Sequence, residues 1–242
     1  KVNKNNAEDI AGISKFSDGK ILLNWEKYFQ IYNEDGSTYS DIIDAGIECE
    51  AFAKGKDSIL IIWYENTTFS ISYASTELWG QIIERDGDKI TPSFRIDDNE
   101  LNSKGPIDAG FINDGIIVVW EDHRNDRPGN LGSGDIYAQR LTINGKAIGK
   151  NFKVNHEPAE LIQRGTSVAV YNNKFTTVWI EQKSVCPPPP PGTLILLKSS
   201  VMGITQDFEN PNPGEVFGWQ TIGGCEEDIK EKPVLARPEA NV

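Results

Sequence analysis

The sequence predicts an all-β chain, a β-propeller of four-stranded antiparallel blades, on three grounds. A tryptophan-tipped apolar run recurs four times, tight-turn dipeptides fall at matching places in each copy, and no stretch keeps a helical period over about 11 residues. The runs are Ile21–Trp25, Leu60–Trp63, Ile116–Trp120 and Phe175–Trp179, each followed closely by an acid. Their tryptophans lie 38, 57 and 59 residues apart.

Each copy opens on a hairpin. A short strand enters the turn Asp18-Gly19, Gly55-Lys56-Asp57, Asn113-Asp114-Gly115 or Asn172-Asn173 and returns as the tryptophan strand. Asn, Asp and Gly tolerate the positive φ that such turns need. A second hairpin follows. Glu77–Asp97 aligns with Asp135–Asn155 without a gap, with Trp79 on Tyr137, Gln81 on Gln139, Asp86-Gly87 on Asn144-Gly145 and Phe94–Asp97 on Phe152–Asn155. Tyr28, Gln30 and Asp35-Gly36 bring the first copy into the same frame. The second strand of each copy is almost continuously apolar, as a strand covered on both faces must be. Expected blades are 7–44, 48–98, 105–156 and 164–222 within a single unit 1–242, with 232–242 beginning a further blade or an end strand. Trp25, Trp63, Trp120 and Trp179 are expected in the inter-blade core. Tandem β-sandwich domains are the alternative, because two copies supply enough strands for one sandwich.

Composition narrows the function. The 242 residues hold 24 basic and 36 acidic side chains, a net charge of −12, which argues against nucleic acid as a partner. At 38% hydrophobic and 25% charged the chain is globular, and no apolar run approaches the roughly 18 residues of a membrane-spanning helix. Only two histidines occur, His123 and His156, with no His or Cys at ligand spacing, so a zinc or copper site is not expected.

The run Trp120-Glu121-Asp122-x-Arg124 … Asp135-Ile136-Tyr137-Ala138-Gln139-Arg140-Leu141 … Gly145 … Phe152-x-Val154-Asn155 resembles tandem β-propeller-like repeats of large secreted and cell-surface microbial proteins. The third copy carries the likeness best. The resemblance implies an extracellular or cell-surface location and a structural or recognition role, and it brings no catalytic residues with it.

Insertions fall on one face. In an up-and-down blade the loops after the second and fourth strands share one end. Asn66-Thr67-Thr68, an N-glycosylation sequon, is expected there on an exposed loop. Pro187, Pro188, Pro189, Pro190 and Pro191 form a polyproline II rod, read as a stiff spacer or a site of sugar attachment. Cys186 and Cys225 emerge on the same face and are expected to pair, a cross-link worth about 3–4 kcal/mol for a loop of this size, whereas Cys49 is expected as a buried free thiol. Trp219, in the inserted region, is the candidate for surface contact. The acids Glu26, Glu65, Glu121 and Glu181 recur around a rim. Among the carboxylates of the third copy, Glu121, Asp122, Asp126 and Asp135 are the candidate ligands for Ca²⁺, the one cofactor the sequence suggests.

The function expected on these grounds is a non-enzymatic structural or adhesive propeller module. Its partners are copies of itself, neighbouring domains or glycans, and assembly into a filament by pairing of end strands is part of that expectation. The alternative is a carbohydrate-active enzyme, a glycoside hydrolase or lyase, or a carbohydrate-binding propeller, with rim carboxylates as its acid–base pair.

Overall fold

The computed structural model describes residues 12–69, 74–98, 104–113, 115–125, 134–155, 162–184, 197–211 and 215–220. Among the described residues sixteen strands make four antiparallel sheets, each of four consecutive strands in simple meander order. Blade one holds β1 (Gly12–Lys15), β2 (Ile21–Trp25), β3 (Tyr28–Tyr32) and β4 (Ile43–Asp44); blade two holds β5 (Ala51–Lys54), β6 (Ser58–Phe69), β7 (Ala74–Glu84) and β8 (Phe94–Arg95). Blade three is β9 (Lys104–Ile112), β10 (Gly115–Asp122), β11 (Asp135–Thr142) and β12 (Ala147–Lys153); blade four is β13 (Ile162–Tyr171), β14 (Lys174–Ser184), β15 (Leu197–Asp207) and β16 (Glu215–Gln220).

The second strand of each blade explains the stacking. Successive side chains on a strand point to opposite faces, and both faces here are apolar. On β6, Ile59, Ile61 and Trp63 pack against Leu22, Phe29 and Ile31 of blade one. The intervening Leu60 and Ile62 meet Ile116, Val118 and Trp120 of blade three. On β10 the other parity, Ile117 and Val119, meets Phe175, Trp179 and Ile204 of blade four. Trp63, Trp120 and Trp179 thus turn towards the preceding blade, Trp25 packs with Leu23 and Tyr32 of its own blade, and every residue of β10 is buried. One strand in contact with two different sheets defines a propeller series and excludes paired sandwiches. Trp25, Trp63, Trp120 and Trp179 are all buried.

Turn chemistry fixes the registers. Asn113 and Asn172 adopt positive φ in the first hairpins of blades three and four, and Gly36, Gly87 and Gly145 do so in the second hairpins of blades one to three. Gly145 has a further constraint, because a Cβ there would collide with the Phe94 ring of blade two.

The inner strands β1, β5, β9 and β13 border an axial cavity of about 450 Å³. Among the described residues no helix is long and apolar enough to cross a membrane. The expected end strands at the termini lie outside the described residues.

Truncating a doubly covered tryptophan should be costly. Trp120→Ala is expected to lower unfolding free energy by about 3–5 kcal/mol. Tyr171→Ala, at a ring 78% exposed, should change it by less than about 0.5 kcal/mol. Denaturant titration of the two variants measures both.

Candidate active site

The strand parity that buries the tryptophans also sorts the polar residues after them. In blades two and three the residue two places on lies on the tryptophan's own face and accepts from its indole. Trp120 Nε1 donates to Asp122 Oδ2 at 2.8 Å and Trp63 Nε1 to Glu65 Oε1 at 3.4 Å. The residue one place on has the opposite strand parity, and here the copies differ: Glu26, Tyr64, Glu121 and Ile180. Glu26 ends its strand at φ 50° in the turn to β3 and is exposed. The acids after the tryptophans therefore do not converge as a ring.

One of those variable positions, Tyr64, lines the axial mouth between blades two and three. The Tyr64 hydroxyl donates to the carbonyl of Gly105, where β9 enters the sheet. Burial pushes the Tyr64 phenol well above its usual range, and the carboxylates of Glu50 and Glu121 push it further. Glu50 sits just before β5, its N–H bonded to the Ile62 carbonyl at 2.9 Å, and its side chain is open to solvent. Glu50, Tyr64, Lys104, Gly105, Pro106 and Ile107 line a cavity of about 430 Å³, which shares Glu50 and Ile107 with the axial cavity.

Glu121 packs behind Gly105. It is 6% exposed. Its Oε1 lies 3.1 Å from His123 Nε2, and its Oε2 accepts from the Gly165 N–H of blade four at 3.2 Å. A Cβ on Gly105 or on Gly134 would stand about 3 Å from the Glu121 side chain, so two glycines make room for it.

Behind the mouth an ion network joins blades two and three. Lys104 and Asp97, both fully buried, pair at 3.0 Å, and Lys104 Nζ also donates to the Thr76 carbonyl at 2.8 Å. Arg95 spans Asp97 at 2.5 Å and Glu77 at 2.6 Å. Arg124 bridges Asp122 and Asp98, both at 2.8 Å, and covers the Tyr137 ring. Burial disfavours the Asp122 carboxylate, but hydrogen bonds from Arg124 and Trp120 and the charges of Arg124 and Lys104 outweigh it, so its pKa lies below the ordinary aspartate value.

The expected Ca²⁺ ligands separate on this inventory. Asp122 is taken by Arg124 and Trp120, and Asp135 by Lys153 at 2.6 Å and Asn155 at 3.0 Å. Glu121 turns to the opposite face of β10. Protein donors occupy the oxygens a cation would need, and among the described residues no group of three or more His, Cys, Asp or Glu side chains could hold a metal ion. Asp126 lies outside the described residues, as do Cys186, Cys225 and Pro187–Pro191.

Two placements are corrected. Asn66 belongs to β6 and pairs with Thr76, not to an exposed loop, because the strand-forming Thr67-Thr68-Phe69 carries the β6–β7 ladder past Trp63. Trp219 lies in β16 opposite Val201, in the fourth strand of its blade and not in an insertion. Cys49 is buried and free, and desolvation pushes its thiol up to about 12.

No family model and no curated protein matches the chain. Solved structures do. A Penicillium chrysogenum α-L-arabinanase complexed with arabinobiose superposes at TM-score 0.54 with 15% identity, over 85% of this chain and 65% of the arabinanase. The Fusarium graminearum α-L-arabinofuranosidase Arb93A, complexed with an iminosugar inhibitor, superposes at TM-score 0.51 with 16% identity, over 90% of this chain and 68% of the enzyme. At these identities the likeness is one of fold. The chain spans about two thirds of either enzyme's length. The expectation of a non-enzymatic structural or adhesive module, with its filament assembly, is corrected here: these two propellers are an arabinanase and an arabinofuranosidase, which favours the alternative reading of the sequence.

Glu50, Tyr64, Lys104 and Gly165 were not among the candidates from sequence. The signal for Tyr64 was the one column that varies inside an otherwise repeated frame, the residue after each tryptophan; Glu50, Lys104 and Gly165 stand outside that column and carry no motif. Glu121 stood among the candidates, but as a metal ligand.

Because the Asp122 pKa is lowered on folding, its stabilising contribution is complete above the unfolded-state value near 4 and is lost as pH falls through the folded one. Denaturation at a series of pH values should show stability falling below about pH 4. The Asp122→Asn variant, weaker at neutral pH, should show a shallower fall.

Proposed function

We propose that the chain is part of a secreted or cell-surface carbohydrate-active propeller that hydrolyses a glycan at the axial mouth. The observation carrying this is Glu50 and Tyr64 lining one open cavity, with Glu121 of the next blade packed against Gly105, whose carbonyl receives the Tyr64 hydroxyl. Glycoside hydrolysis needs two carboxyl groups flanking one bond. One gives its proton to the leaving oxygen as the C–O bond breaks. The other, as base or nucleophile, brings the hydroxyl of water to the anomeric carbon.

The surroundings divide these roles. Glu121, buried and approached by donors on both oxygens, is suited to act as the carboxylate. Glu50, open to solvent, can regain its proton between turnovers. The arabinan-directed names of the solved propellers support an arabinose-containing glycan as the first substrate to test. The resemblance of the third copy to repeats of secreted proteins supports the extracellular location.

Reducing-sugar release from arabinan, arabinoxylan and a panel of other plant polysaccharides tests the reading. Glu121→Gln and Glu50→Gln should each lower kcat by about 10²–10⁴-fold. No cleavage across the panel, or full activity in Glu121→Gln, would overturn it.

A further inference from the structure

Glu121 is held by more than its place on β10. His123, two residues on, folds back to bring Nε2 to 3.1 Å from Oε1. Gly165 reaches the other oxygen because β13 carries an irregularity there: its register against β14 shifts between Arg164 and Thr166, and Gly165 takes φ 58°. A bulge of this kind re-aims a backbone group that a regular ladder would consume. Gly134 completes the slot, since a Cβ on it would press on both the Glu121 Cγ and the His123 ring. The carboxylate is thus gripped from its own loop and from the next blade.

We propose that His123 is a positioning residue for Glu121: together with the Gly165 N–H it fixes the carboxylate in the orientation used at the axial mouth. This inference rests on the hydrolase reading above. The imidazole contacts Glu121 and acts through it. Glu121 is a long side chain with three rotatable bonds, and displacement of a reacting group by about 1 Å can cost on the order of 10²-fold in rate. Glutamine at 123 can place an amide N–H near the Nε2 position, whereas phenylalanine fills the space with no donor.

The full chain in its native form, labelled with ¹⁵N-histidine, gives two independent readouts. Only two histidines contribute signals, His123 and His156. In the ring spectra, Glu121→Gln should move the His123 nitrogens and leave those of His156 in place. In glycan hydrolysis, His123→Phe should lower kcat by about 10–100-fold with KM changed less than about threefold. His123→Gln should recover most of the loss, and circular dichroism and melting confirm that each variant folds. An inactive Glu121→Gln beside a fully active His123→Phe overturns the positioning role and leaves the hydrolase reading intact. Full activity in Glu121→Gln overturns both. His123 nitrogens that do not respond to Glu121→Gln also overturn the inference.

Discussion

Everything in this molecule depends on the second strands of the two middle blades, β6 and β10, being pressed on both faces by other sheets. Period-two alternation then has two distinct readers, the preceding blade and the following one. A slip of one residue would exchange them and send every apolar side chain to the wrong neighbour. The register is therefore strongly specified, and it extends without interruption into the polar residues that end the strand. Asp122 falls on the face of Trp120 and becomes its indole acceptor. Glu121 falls on the other face and reaches blade four. Adjacent carboxylates acquire different environments from packing alone.

The same economy sets the blade junctions. Lys104 opens β9 with its ammonium fully buried against Asp97, at the end of blade two. A buried pair of this kind adds little net stability over apolar packing but strongly disfavours losing one partner. Its effect is to hold the entry of β9 in one place, and Gly105, the next residue, carries the carbonyl that receives the Tyr64 hydroxyl. The mouth is built on a rigid foundation of paired charges, while Glu50 stays at its open side.

Much of the architecture was legible in the sequence because a propeller repeats its instructions. The tryptophans, the Asp-Gly and Asn-Gly turns and the gapless alignment of Glu77–Asp97 with Asp135–Asn155 state the blade four times over. The function was misjudged for the same reason. Repetition draws the eye to what recurs, and the recurring acids Glu65 and Asp122 serve the fold as indole acceptors. The residues of the mouth sit where the copies disagree, and Glu50 and Gly165 come from strand entries with no motif at all. Their meeting requires the curvature of several blades around an axis, which no local pattern encodes. Asn66 was misplaced because the β6–β7 hairpin of blade two continues well beyond its tryptophan.

A crystal structure of the chain soaked with an arabino-oligosaccharide is the most direct measurement. The account predicts a sugar ring in the cavity bordered by Glu50, Tyr64 and Gly105, with the Glu121 carboxylate facing it and still held by His123 and Gly165. A glycan bound away from that mouth, or a Glu121 side chain turned out of its glycine slot, would contradict it.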